Sequence, residues 1–197
     1  MIAAVILAAG ASSRMGSPKA LLTYAGETFV GRLVRVFSVC NPTIVVLGHH
    51  ADTVRAHLQT LLSKPVTVVN PAPERGQLSS LQTALAALPV DAEGFLFIPV
   101  DCPAPGEETV AKICDAFAKR PAGTLLVVPQ CEGRNGHPVC ASRQIANELL
   151  ALPPTATARD VIHRHRASTL YIPVDDPGIL TDVDDPAAYE RLTQPAR

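Results

Sequence analysis

What this chain lacks narrows its chemistry before any motif is read. No stretch of its 197 residues approaches the roughly 20 consecutive apolar residues that span a bilayer. Its apolar start has no basic residues before it and runs at once into a glycine loop, so it reads as a strand and not as a signal peptide. The five cysteines (Cys40, Cys102, Cys114, Cys131 and Cys140) are an odd set without a Cys-x-x-Cys pair. That argues against a disulfide framework and a structural zinc site, and for a reducing cytoplasm. The pairs His49-His50 and His163/His165 lack the companion ligands of a metal centre. Formal net charge is −1, so nothing draws the molecule as a whole toward nucleic acid or an anionic membrane. Internal repeats and domain-sized linkers are absent as well. With 47% apolar and 18% charged residues, 1–197 reads as one domain with ample core.

Two common phosphate loops are also missing. A P-loop needs Gly-x4-Gly-Lys-Ser/Thr, but five residues separate Gly10 from Gly16 and Ser17-Pro18 stands before Lys19. The dinucleotide fingerprint Gly-x-Gly-x-x-Gly does not occur. What stands in their place is Val5-Ile-Leu-Ala-Ala-Gly10-Ala-Ser-Ser-Arg14-Met-Gly16-Ser-Pro-Lys19. Ala3 to Leu7 is continuously apolar, as a buried parallel strand is. It breaks at Gly10 into small residues that let backbone N–H groups approach a ligand. Ser12 and Ser13 add hydroxyls, Arg14 and Lys19 add positive charge, and a loop of this make-up suits an oligophosphate.

The remaining chain alternates strand and helix. Strands are expected at 43–47, 66–69 and 94–98, and helices at 28–40, 51–62 and 77–88, with Asn41-Pro42 stopping the first helix. This rhythm predicts an α/β fold, a Rossmann-like three-layer domain whose mostly parallel sheet carries helices on both faces. Such sheets bind ligands at the carboxyl ends of their strands. The second half is less regular. Helices are expected at 107–119, 142–152, 157–165 and 185–192, and strands at 125–128 and 168–173. A short returning strand at 138–141 reads as antiparallel and near an edge.

Asp101 lies just past a wholly apolar strand, where a carboxylate can hold a magnesium ion bridging phosphates or merely cap the next turn. Asp182 and Asp184 flank one residue, so in an extended segment both point the same way, while Asp185 before Pro186 resembles a helix N-cap. Asp101 with Asp184 would satisfy a magnesium site. Gly76-Gln-Leu-Ser79-Ser80 is a glycine turn entering a helix, suited to a ribose, base edge or phosphate, or simply to capping. Asn135-Gly136-His137-Pro138 is a tight turn that brings an imidazole to a substrate mouth or serves structure alone.

The segment from Leu7 to Gly16, followed by Lys19, closely resembles the signature of the MobA-like nucleotidyltransferases. Gly76 to Leu81, Asp101 with Pro103, Gly136-His-Pro-Val139 and Asp182-Val-Asp184-Asp-Pro186 agree in order. Within that family the chain is most similar to the molybdenum cofactor cytidylyltransferases, on Leu7-Ala-Ala-Gly10 and the Gly-His-Pro turn. The resemblance implies transfer of CMP from CTP to the phosphate of molybdopterin, with Mg2+ as cofactor and pyrophosphate released. It implies Arg14, Lys19 and Asp101 as catalytic residues, and Asp101 with Asp184 as metal ligands. Leu7, Ala8, Ala9, Gly10, Ser12, Ser13, Arg14, Lys19, Gly76, Ser79 and Ser80 would bind nucleotide, with Ala9 biasing the base and Lys19 meeting the departing pyrophosphate. His137 would meet the acceptor. A molybdenum hydroxylase or its maturation chaperone would receive the product; nucleic acid and membrane are not expected partners. The alternatives are a related transferase using GTP or another phosphorylated acceptor, and a non-catalytic module that carries or inserts a cofactor.

Overall fold

In the computed structural model, which describes residues 1–194, the opening apolar run forms β1 (Ile2–Ala8) near the middle of an eight-stranded sheet. It pairs in parallel with β4 (Thr43–Leu47) on one side and with β6 (Gly94–Pro99) on the other. A two-stranded hairpin, β2 (Thr23–Tyr24) and β3 (Glu27–Thr28), precedes α1 (Phe29–Val36). Thr28 caps that helix by accepting from the Gly31 N–H at 3.1 Å. Between β4 and the edge strand β5 (Val66–Val69) runs α2 (Ala51–Leu58), and α3 (Gln77–Ala86) leads on to β6. Beyond β6 come α4 (Glu107–Ala118), β7 (Leu126–Cys131), the short β8 (Arg134–Asn135) and β9 (Val139–Ser142). The chain continues through α5 (Arg143–Leu150), α6 (Ala158–Arg164), β10 (Thr169–Pro173) and α7 (Pro186–Thr193). The order across the sheet is β10-β7-β9-β6-β1-β4-β5, with β8 paired to β7.

Alternation along β1 builds the three layers. Ala4, Ile6 and Ala8 face a core shared with Phe29, Leu33, Val54 and Ile113, and so with α1, α2 and α4. Ala3, Val5 and Leu7 face the opposite core, with Leu81 of α3, Ile145 of α5 and Val161 of α6. Both faces are apolar because both are covered, as the uninterrupted run of β1 requires.

One expectation is corrected. The returning strand β9 is antiparallel, but it lies inside the sheet between β6 and β7 and not near an edge. All four of its residues are buried, and Pro138 stands just before it, so the missing N–H interrupts no ladder bond. Among the described residues no helix is long and apolar enough to cross a membrane.

Candidate active site

The loops at the carboxyl ends of β1, β4, β5 and β6 converge above the sheet, and two clefts open among them. The first has a volume of about 240 Å³ and is lined by Leu7, Gly10, Lys19, His50, Gly76 and Ser80 among others. The second, of about 420 Å³, includes Asn135, His137, Thr181 and Asp182 in its wall. Asp101, Pro99 and Gln77 line both clefts and so form the partition where they meet.

The loop after β1 is held from within and from outside. Ser12 adopts φ +52°, and its hydroxyl oxygen accepts the Lys19 backbone N–H at 2.8 Å, which closes the loop. His50 meets the Ala11 carbonyl at 3.0 Å; a carbonyl can only accept, so His50 donates from Nε2. Gly48 is required here, since a Cβ on it would lie 2.4 Å from the Ala9 carbonyl oxygen and 2.7 Å from the Ala9 Cβ. Ala9 is accordingly 2% exposed, with its side chain packed in the core and not on the cleft wall. Any influence it has on base choice therefore passes through the main chain. Ser13 and Arg14 are exposed, and with Ser12, Lys19 and Asp184 they line a small recess at the rim. Leu7 and Ala8 stand in the wall of the first cleft.

Lys19 reaches across this site to the acidic cluster. Its ammonium lies 3.0 Å from Asp101 Oδ2 and 3.0 Å from Asp184 Oδ1. Burial alone would lower its pKa, but hydrogen bonds and charge from Asp184 and Asp101 outweigh that and hold it above the ordinary lysine value. The Asp184 carboxyl is held low by its hydrogen bond to Lys19. The Asp101 carboxylate thus faces a cation, in place of the capping role that its sequence position also allowed. Val183 is fully buried and its N–H donates to the Asp101 carbonyl at 2.9 Å, which sets Asp182 and Asp184 on the outward side together. One carboxylate oxygen each from Asp101 and Asp182 lies within 4.8 Å of the other and of Cys102 Sγ. Burial, then the charges of Asp101 and Asp184, push the Asp182 carboxyl up. Burial likewise pushes the Cys102 thiol up, so it remains a thiol and the oxygens are the useful donors. A cluster of carboxylate oxygens already holding one cation fits a hard divalent ion.

The segment bearing Asp101 is clamped on two sides. Arg32 of α1 donates from Nε to the Pro103 carbonyl at 2.9 Å. Asp176 accepts from the Gly106 N–H (2.9 Å), the Thr109 hydroxyl (2.6 Å) and the Gly178 N–H (2.9 Å).

Gly76 adopts φ +89°, a conformation open to glycine, and leaves the first turn of α3 without a side-chain cap. Exposed N–H groups there suit an anion or a polar edge. The serines behind it differ from each other. Ser79 donates to the Gly76 carbonyl at 2.8 Å and does not line the cleft, whereas Ser80 does. The Ser79 hydroxyl, expected at the nucleotide, here closes the loop by bonding the main chain. On the other side, the His137 ring packs edge-on to Phe97 with centroids 6.1 Å apart. Its Nδ1 is buried with no partner among the described residues, and burial holds the imidazole below its ordinary range, so it is neutral.

Sequence reading missed four residues of this constellation: Gln77, His50, Asn70 and Asp176. His50 acts through the distant Ala11 carbonyl, Asn70 reaches the serines of α3, Asp176 reaches Gly106 and Thr109, and Gln77 simply stands in both cleft walls. Asp185, by contrast, caps α7 as expected, accepting from the Ala188 N–H at 2.8 Å.

The model of the MobA-like NTP transferase domain matches residues 4–169 of this chain. A bifunctional protein GlmU of Rhodococcus opacus is 31% identical over 134 residues, covering 64% of this chain and 27% of that one. A probable molybdenum cofactor guanylyltransferase of Bacillus cytotoxicus is 28% identical over 139 residues, 68% of this chain and 64% of that one. The chain thus spans about a quarter of the first relative and under two thirds of the second. Rv0371c of Mycobacterium tuberculosis is matched over almost its full length, with 98% and 96% of the two chains covered at 32% identity and a TM-score of 0.84. The same protein in complex with manganese is matched at 28% identity with a TM-score of 0.80, over 99% of each chain.

Proposed function

Because this chain belongs to the MobA-like NTP transferase family, we propose that it transfers a nucleoside monophosphate from a nucleoside triphosphate to a phosphorylated small molecule. The observation that carries the reading is the shared wall. Asp101, beside Lys19 and Asp184, separates the cleft under the glycine loop from the cleft at His137. A donor in the first and an acceptor in the second would meet at that partition.

The nucleophile is a phosphate monoester oxygen of the acceptor, which forms a new P–O bond to the α-phosphorus while the α–β anhydride bond breaks and pyrophosphate leaves. With a second pKa near 6 the acceptor phosphate is already mostly dianionic at neutral pH, so no general base is needed. A neutral, buried His137 is consistent with that, serving as a shape and hydrogen-bonding element of the acceptor cleft. The barrier is electrostatic: an anion must approach an anion, and charge develops on the leaving group. The loop amides and Arg14 face the phosphates from one side, and α3 presents its uncapped N-terminus from the other. Asp101 and Asp184 would hold a divalent ion, which would neutralise phosphate charge. Lys19 would then exchange its carboxylate partners for the phosphates of the leaving group. The manganese complex of the related Rv0371c supports divalent metal use, and magnesium is the ion proposed here.

For the finer identity we take CTP as donor and a molybdopterin-type phosphate as acceptor. Leu7-Ala-Ala-Gly10 and Gly136-His-Pro138 support the cytidylyl choice. GTP is the second reading, favoured by the relative named as a guanylyltransferase. A molybdenum hydroxylase or its chaperone would then be the recipient. The test is a nucleotide-by-acceptor screen read by pyrophosphate release. Metal-dependent release with CTP and molybdopterin supports the reading; better use of GTP moves the chain to the guanylyl branch, and retention of the acceptor without turnover points to a carrier.

A further inference from the structure

We infer that Asn70 is a positioning residue that fixes the Ser80 hydroxyl as a hydrogen-bond donor toward the nucleotide, an inference that rests on the nucleotide reading of the first cleft. Asn70 follows β5 and is 3% exposed. The Ala72 backbone N–H points at its Oδ1 from 3.0 Å. A backbone amide can only donate, so this one contact assigns the carboxamide, with oxygen toward Ala72 and nitrogen toward α3. The two hydrogens of Nδ2 then meet Ser79 Oγ at 2.8 Å and Ser80 Oγ at 3.0 Å.

Both serine oxygens are therefore acceptors at these contacts, and each hydroxyl must place its own hydrogen elsewhere. Ser79 places it on the Gly76 carbonyl at 2.8 Å, with the Ala72 carbonyl at 3.2 Å as alternative. Ser80 has no acceptor among the described residues, is 5% exposed and stands in the wall of the first cleft. Its O–H is a buried donor with the cleft as its outlet. The group that satisfies it is an acceptor atom: a carbonyl oxygen, an unprotonated ring nitrogen or a phosphate oxygen. An amino group at that point would set donor against donor.

Asn70→Asp tests this by reversing polarity in nearly the same shape. A carboxylate still accepts from Ala72, but both serines then donate to it, and the Ser80 hydrogen is withdrawn from the cleft. Binding of a non-hydrolysable α,β-methylene CTP to the full chain is measured by calorimetry, beside Tm and the split of kcat from KM. Asn70→Asp and Ser80→Ala are each expected to weaken binding about tenfold, the loss of one hydrogen bond to ligand, with kcat at saturation little changed. The double variant should bind no worse than Ser80→Ala alone, since both changes remove the same donor. Ser79→Ala should lower Tm and leave affinity unchanged. Wild-type affinity in a folded Asn70→Asp protein, or multiplicative losses in the double variant, would overturn the inference while leaving the function intact. A wild-type protein that does not bind the analogue would overturn the nucleotide reading itself, and the inference with it. Asn70→Ser closes the same cycle should the aspartate variant not fold.

Discussion

Lys19 and Asp101, 82 residues apart in the chain, meet at 3.0 Å, and through that contact the loop after β1 is joined to the end of β6. Asp184 completes the arrangement at the same distance on Oδ1. The ammonium occupies the place where two carboxylates concentrate negative charge, and under the proposed function this one group would both help bind phosphate and compete with a metal.

Removal of either partner should stop turnover while the fold survives. Asp101→Ala and Lys19→Ala are each expected to lose at least about a hundredfold in kcat/KM for pyrophosphate release, the usual loss of one electrostatic contact, about 3 kcal/mol. Near-normal turnover in either folded variant would contradict the site.

The same geometry predicts an opposite effect on metal binding. Without nucleotide, Lys19→Met should bind Mn2+ more tightly than the wild type, because the competing cation is gone. Electron paramagnetic resonance of free Mn2+ in a titration measures this directly. Unchanged or weaker binding in Lys19→Met would remove the ammonium from the metal's seat.

Asp176 supports the site at a distance, and its loss should register in stability. Asp176→Ala strips an acceptor from Gly106, the buried Thr109 and Gly178. Buried donors left unpaired cost about 1–3 kcal/mol, and at this length each kcal/mol moves Tm by about 2–4 °C. A fall of several degrees in calorimetric Tm is expected, and a Tm equal to the wild type would show that the clamp is idle.

How much of this was legible in the sequence differs by element. β1, β4 and β6 were readable because continuous apolar runs admit few other fates, and Asp185 because an N-cap is a local pattern. The hydroxyls were not equally readable. Ser79 and Ser80 look alike in sequence, yet Asn70 and the Gly76 carbonyl commit one to structure and leave the other free. A short buried strand such as β9 fits an edge or an interior slot, and only its two partners, β6 and β7, place it inside. Gln77 carries no signal beyond its place after Gly76.

Overpacking behind the glycine loop should be felt at the nucleotide. Gly48→Ala drives a methyl into Ala9, whose carbonyl would lie 2.4 Å away. Strain of this kind costs about 1–3 kcal/mol. Differential scanning fluorimetry should record a lower Tm, together with a raised KM for the nucleoside triphosphate. An unchanged Tm and KM would mean that the contact yields freely.

His137 supplies a pH dependence with a definite sign. Burial holds its folded pKa below the value of about 6.5 in the unfolded chain, so the unfolded state binds the proton first. Its contribution to stability is complete above about pH 6.5 and is lost as pH falls toward the folded value. His137→Asn should therefore flatten that part of the Tm profile between pH 7 and 5. A profile parallel to the wild type would contradict the assignment.

Nucleotidyl transfer between two clefts that meet at Asp101 is a proposal about where one phosphorus atom goes. The decisive assay uses CTP labelled at the α-phosphorus, a molybdopterin-type phosphate acceptor and a divalent ion. The expected outcome is label in the acceptor, pyrophosphate in equal amount, and neither product from Asp101→Ala. Label that stays in CTP, or appears as free CMP whether or not acceptor is present, would contradict it.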